Sequence, residues 1–247
     1  MMPLIKKGKV YLLCFLAITL IWYAAHLIMR LPIIPSPFKI YVNIFVIFKE
    51  KLAANILYSL GRIVAGVLIA IVIGVSLGYF MGYYKKVDKL LSPLIYFTYP
   101  VPKMALLPIV MLLFGLGDIS KVIMIILIIV FQIIIAARDS VKSIPKEAYN
   151  SLYSLGAGKY SIFKEIIIPA SLPECLTSIR LAIGTAISIL FFTETYGTTH
   201  GMGYFIMDAW MRINYIEMYS GIVVLSLLGI LIFVTIDLIE GCICSWR

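Results

Sequence analysis

Charge is what this chain has least of. Only 13% of its 247 residues are Asp, Glu, Lys or Arg, against about 25% in a soluble globular domain. With 62% hydrophobic residues and a mean hydropathy of +1.05, a water-soluble fold is excluded and an integral membrane protein is expected. Cysteine is equally uninformative as a framework. Cys14, Cys175, Cys242 and Cys244 offer no disulfide scaffold, and Cys242-x-Cys244 lacks the second pair a zinc site needs. The two histidines, His26 and His200, have no ligand spacing. No HExxH and no nucleophile motif is present, so no metal, no cofactor and no catalysis are expected. Internal repeats, low-complexity tracts and an attached soluble domain are missing as well.

The residues that are there form long apolar runs. Crossing about 30 Å of hydrocarbon at about 1.5 Å per residue takes about 20 apolar residues. Six runs qualify: Val10–Met29, Arg62–Tyr83, Leu90–Gly115, Ser120–Ala137, Leu172–Tyr196 and Tyr219–Ile239. The first follows Lys6, Lys7 and Lys9 like a signal peptide. It is longer than such a segment and no small-x-small site follows, so it reads as an uncleaved span. The third holds Pro93, Pro100, Pro102 and Pro108 and is expected to be kinked. Gly74, Gly78 and Gly82 recur every fourth residue in the second, where small residues permit close helix contact, within the chain or between copies.

The net charge of +9 belongs to the loops. With the N-terminus inside, 13 of the 21 basic residues fall on the cytoplasmic side, among them Lys85, Lys86, Lys89, Lys142, Lys146, Lys159 and Lys164. The loop from Arg30 to Leu60 carries four and the loop around Gly201–Met218 only Arg212. The positive-inside rule then predicts both termini in the cytoplasm. Basic residues interleaved with aromatics are not seen, so no nucleic-acid partner is expected.

One polar island interrupts the apolar sequence, Ser143–Pro169. It has helix grammar. Ser143 and Pro145 open a helix, Ala148, Leu152 and Leu155 share a face, and Gly156 sits where a left-handed cap closes it. A second short helix follows, with Ile162, Phe163, Ile166 and Ile167 on one side and Pro169 closing it. Gly156-Ala-Gly158-Lys159 imitates a phosphate loop and fails. Tyr160 stands where Ser or Thr must hold magnesium, and Tyr153 stands at the first glycine position. An ordered amphipathic loop between spans needs a partner, and the chain has no nucleotide site of its own.

Charges within spans carry functional weight, since each costs roughly 2.5–3.5 kcal/mol or more at mid-bilayer. Glu194 reads either as an anchor for the glycine-rich turn Gly197–Gly203 or as pathway lining. Lys103 reads either as a snorkelling lysine or as a cation facing an aqueous pathway, with Tyr99 beside it. Arg180 is expected to snorkel to the cytoplasmic interface, where Asp237 and Glu240 also lie.

The island resembles the coupling loop of binding-protein-dependent ABC importer permeases, whose pattern is Glu-Ala-Ala, three residues, Gly, nine residues, Ile-x-Leu-Pro. Gly156, Ile166, Ile168 and Pro169 match, with Ile for Leu. Counting back, Asn150, Ser151 and Leu152 take the triplet. Glu147 is three residues out of register, so the opening acidic position is Asn150. Ser59-Leu-Gly-Arg-Ile63, Pro102-Lys-Met-Ala-Leu-Leu-Pro108, Phe114-Gly-Leu-Gly117, and Glu194 with Gly201-Met-Gly-Tyr204 are similar to the nitrate/sulfonate/taurine/bicarbonate group.

The resemblance implies an all-α, polytopic bundle of about six transmembrane helices with a cytoplasmic coupling helix. Its core spans 54–241, after an N-terminal helix and outer loop (1–53) and before a short tail (242–247). It further implies two copies of an ATP-binding subunit, a second permease copy, an extracytoplasmic solute-binding protein, and a bacterial or archaeal inner membrane. ATPase contacts are expected from Ala148, Tyr149, Asn150, Leu152, Leu155 and Gly156, with the Ala148–Tyr149–Leu152 face entering the ATPase groove. The solute is expected to be small and anionic or vitamin-like, of the sulfonate, taurine, nitrate, pyrimidine or riboflavin class, passing Tyr99, Lys103 and Glu194. The alternative is an ion-gradient-driven secondary transporter or channel.

Overall fold

The computed structural model describes residues 4–244, with side chains from Leu13 onward. The side chains of Lys6, Lys7 and Lys9, and the whole of Arg247, lie outside the described residues. The secondary structure described is helical throughout: α1 (Leu4–Met29), α2 (Pro37–Ile47), α3 (Ala53–Tyr83), α4 (Lys85–Thr98), α5 (Leu107–Phe114), α6 (Asp118–Lys142), α7 (Lys146–Ser154), α8 (Lys159–Ile162), α9 (Ile168–Glu194), α10 (Met202–Met211) and α11 (Tyr215–Ile243).

Four stretches are long and apolar enough to cross a membrane: Pro37–Tyr83, Asp118–Lys142, Lys159–Glu194 and Tyr215–Ile243. A fifth is broken, α4 and Lys103–Phe114 meeting at 80°. Leu13–Met29 of α1 adds a further apolar helix. The prolines explain the break. Pro100 and Pro102 occupy the turn, Pro93 is tolerated within α4, and Pro108 sits in the first turn of α5, where a missing N–H costs nothing.

Two expected boundaries change. The segment read as an outer loop after Arg30 is largely helix. No Gly or Pro occurs between Phe38 and Gly61, so α2 runs through a π-turn at Phe48–Leu52 directly into α3. Pro169 does not close a helix either. A second π-turn, Phe163–Ile167, precedes it, and the proline falls at the start of α9. Helix therefore continues unbroken through Lys159–Glu194.

The centre of the bundle is the α3–α6 pair. A Cβ on Gly66 would lie 2.7 Å from Ile125 Cγ2, on Gly74 2.7 Å from Ile133 Cγ2, on Gly78 2.5 Å from Ala137 Cβ and on Gly82 2.5 Å from Val141 Cβ. Both sets of numbers rise together, so the helices are parallel and in register along a seam from Gly66 to Gly82, about four turns. Of the two readings of the glycine stripe, the structure supports packing within the chain. The broken span between the two carries the chain back across the layer. α9 runs antiparallel to α6 and closes the main core, where Ile63, Val67 and Ala70 of α3 meet Ile125, Ile129 and Ile133 of α6 and Ile179, Ala182 and Ile183 of α9. α11 runs antiparallel to α9 and packs on it through Gly184–Phe233 and Gly229–Ile187.

Candidate functional site

Three places in the bundle carry chemistry, one at each end and one halfway. The first is the 143–169 loop. α7 begins after Pro145 and ends in a tight cap: Gly156 has φ +75°, and Leu152 O accepts from Ala157 N at 3.1 Å. Only a residue without a Cβ adopts this turn without strain. Ala148, Tyr149 and Leu152 are half-buried against a cluster that includes Tyr79, Val141, Ile144, Ile162, Ile166 and Cys175. The face expected to enter a partner's groove is thus turned toward the bundle, because a helix of 9 residues is held only by burying its apolar side. Burial pushes the Tyr149 phenol above its usual range, with Tyr153 adding to it. The outer side shows Asn150, Tyr153, Leu155 (84% exposed), Gly156 and Tyr160 (80% exposed).

At the opposite end, a polar network ties α3, α6, α9 and the loop before α10. Glu194 is fully buried. Arg62 Nη1 donates to it at 2.7 Å and Gly203 N–H at 2.9 Å, while the Ser59 hydroxyl lies 2.8 Å from both carboxylate oxygens and accepts from Met202 N–H at 2.8 Å. Arg62 also donates through Nε and Nη2 to Asp118 Oδ1 (2.8 and 2.6 Å) and through Nη1 to His200 O at 2.8 Å. Lys121, also fully buried, donates to Leu116 O and Gly197 O. Gly201, at φ +122°, is obligatory, since a Cβ there would sit 2.5 Å from Glu194 Oε1 and 2.6 Å from Arg62 Nη1. Of the two readings of Glu194, the geometry is that of the anchor.

The third place is the break in span three. Lys103 donates to Tyr99 O at 2.9 Å, a hydrogen bond across the bend, and its ammonium lies 5.4 Å from the Tyr99 ring and 4.8 Å from the Phe131 ring. Tyr99 and Lys103 are therefore brought together as expected, and Glu194 belongs elsewhere. They line a cavity of about 250 Å³ with Val101, Met104, Ile128 and Gln132.

Other expectations shift. Arg180 does not snorkel freely; it pairs with Asp237 at 2.6 Å and with Glu240. Arg212, the lone basic residue of its loop, is committed to Glu217 and Asp208 (2.8 Å each), which hold its guanidinium above its ordinary pKa. Sequence reasoning missed Lys121, Asp118 and the role of Ser59 and Arg62. The available signal was an Asp-x-x-Lys at the mouth of span four and an Arg inside span two, each needing a partner at that depth.

Parallel packed spans, an ordered loop at one end, a locked polar network at the other and a broken span between them define a multi-pass membrane transport protein. The model for the binding-protein-dependent transport system inner membrane component matches residues 66–243, and the chain belongs to that family. It is 30% identical over 236 residues to the formylaminopyrimidine transport permease of Halalkalibacterium halodurans, covering 95% of this chain and 94% of that one. The taurine transport system permease of Escherichia coli is 28% identical over 76% of this chain and 69% of its own length. Among solved structures, an inward-facing chain of the MetNI methionine ABC transporter superposes with a TM-score of 0.69 at 17% identity, over 77% of this chain and 95% of that one.

Proposed function

We propose that this permease works as the membrane half of an ATP-driven importer, docking through the 143–169 loop onto a separate ATP-binding subunit. The observation that carries the reading is the exposed rim of that loop: an ordered, glycine-capped helix whose inner face is seated on the bundle, with Tyr153 held to Tyr83 of α3 at 3.0 Å, while Asn150, Leu155 and, on α8, Tyr160 stay exposed. Docking is then helix-in-groove, through the rim rather than the Ala148–Tyr149–Leu152 face. The seated inner face transmits displacement of α7 to α3 and α9.

The loop is cytoplasmic in this reading, with both termini on the same side, following the excess of Lys and Arg there. A solute-binding protein delivers from the opposite end, near the turn held by Glu194. Two ATP-binding subunits serve two permease copies sharing one pathway. The apolar window of α11 is only 17% buried within the chain, which leaves surface for lipid and for a second copy. The solute is small and anionic or vitamin-like, in line with relatives named for taurine, aliphatic sulfonates and formylaminopyrimidine.

The test is co-purification of the ATP-binding subunit with Leu155→Asp and Gly156→Glu, beside melting of the permease. The expected result is lost capture in both, with an unchanged melting temperature in Leu155→Asp and a lowered one in Gly156→Glu, where a Cβ strains the left-handed cap. Normal capture and normal uptake in both variants would sink the docking role.

A further inference from the structure

Five cations among the described side chains are buried or half-buried: Arg62, Lys103, Lys121, Arg138 and Arg180. Arg62 is matched by Asp118 and Glu194, Arg138 by Asp88, and Arg180 by Asp237 and Glu240. Lys121 is enclosed by two carbonyls. Lys103 is different: one carbonyl, two aromatic faces and no carboxylate.

Its depth makes this costly. Phe131, the ring nearest the ammonium, lies one residue past the middle of the 25-residue α6, about 20 Å from one end and about 17 Å from the other at about 1.5 Å per residue. A lysine stem spans far less, and here it does not climb to an interface; its ammonium returns to the carbonyl at the bend. Such a charge persists in a span only where it faces protein, water or a ligand. On the same cavity wall lies Gln132, whose side-chain amide makes no hydrogen bond within the described residues. Two polar groups with unused hydrogen-bonding capacity thus converge on one small, otherwise apolar cavity between a broken helix and an unbroken one, the arrangement expected of a small-molecule site.

We propose that Lys103 and Gln132 form a mid-membrane selectivity site for the head group of a small organic anion, a sulfonate or carboxylate, during its passage. Lys103 supplies the charge and Gln132 a directional N–H donor. Tyr99 and Phe131 keep the ammonium aimed at the cavity. The apolar remainder, Val101, Met104 and Ile128, takes the solute's short carbon frame. A neutral solute leaves the ammonium unmatched and gains nothing from it, so the site discriminates by charge. The proposal rests on the importer reading for the direction of passage only.

The test uses charged thiol reagents in membranes holding the permease with its ATP-binding subunit. Val101→Cys places a thiol on the cavity wall, in a background where the exposed Cys14 and Cys242 are replaced by Ser. Cys175 and Cys244 are buried and remain. Methanethiosulfonate reagents ending in ethylsulfonate or ethyltrimethylammonium are compared by rate. Adding Lys103→Met is expected to lower the sulfonate-to-ammonium rate ratio about tenfold, the size of one nearby unit charge in a partly screened site, whereas Lys103→Arg keeps it. An unchanged ratio in both variants overturns the proposal. So does a Val101→Cys thiol that reacts no faster than one at Leu112→Cys, on the bundle's outer surface (86% exposed). Capture of the ATP-binding subunit is expected to be normal in every variant. Its loss in the unsubstituted protein would sink the importer reading and leave the rate ratio interpretable.

Discussion

The glycine seam between α3 and α6 makes a prediction in which one substitution has opposite signs at two positions of the same helix. Gly61 and Gly78 both lie in α3. At Gly61 an added Cβ meets nothing within 4 Å; at Gly78 it would lie 2.5 Å from Ala137 Cβ and 2.7 Å from Ile134 O. Alanine improves helix propensity by up to about 1 kcal/mol at either site. At Gly61 this is the whole effect, and Gly61→Ala should stabilise by about 0.5–1 kcal/mol. At Gly78 the methyl falls about 1 Å short of an ordinary carbon contact of about 3.5–4.0 Å. Two of the atoms it meets, Ile134 O and Arg138 N, are backbone, which cannot rotate away. Relief requires the helices to separate, which disturbs the Gly74 and Gly82 contacts above and below. Overpacking of this kind costs about 1–3 kcal/mol, so Gly78→Ala should be net destabilising by about 1–2 kcal/mol. The measurement is unfolding of the purified chain in mixed micelles, titrated with a denaturing detergent, both variants beside the parent. A Gly78→Ala variant as stable as Gly61→Ala would refute a close-packed α3–α6 seam.

Three further outcomes are expected. Glu194→Ala removes the buried partner of Arg62 and should cost about 3–5 kcal/mol, while Asp118→Ala, whose carboxylate is 59% exposed, should cost about 1 kcal/mol or less; thermal melting in detergent separates them. Gly201→Ala, with its positive φ and its neighbours Glu194 and Arg62, should reduce recovery of folded protein by gel filtration, whereas Gly117→Ala, with open space around it, should not. Ile213 is a β-branched residue at φ +58° and 70% exposed, so Ile213→Gly should raise the melting temperature by relieving about 1 kcal/mol of backbone strain.

Much of this was legible in the sequence because it is local. Apolar run length locates the spans, the prolines locate the break at 99–102, and Gly156 at the end of an amphipathic stretch announces its own left-handed cap. What stayed hidden is non-local. Arg62 and Glu194 are 132 residues apart, and no periodicity reveals that they meet, nor that Lys121 closes the same end. The α7 face was readable as apolar but not as facing inward, since an apolar stripe says that something covers it and not what. Pro169 misled because a proline is normally a helix end; the π-turn before it leaves no intrahelical acceptor waiting for its missing N–H.

The in-register contact of α3 with α6 has a mechanical side. Two helices that close on one another at Gly66, Gly74, Gly78 and Gly82 cannot slide, since sliding by one residue would drive isoleucine side chains into backbone. They act as a single strut joining the end that holds Glu194 to the end that seats α7. A push at either end arrives at the other with little lost to bending. Any change of shape is left to the segment spliced between the strut's two halves, which is the bent one carrying Lys103.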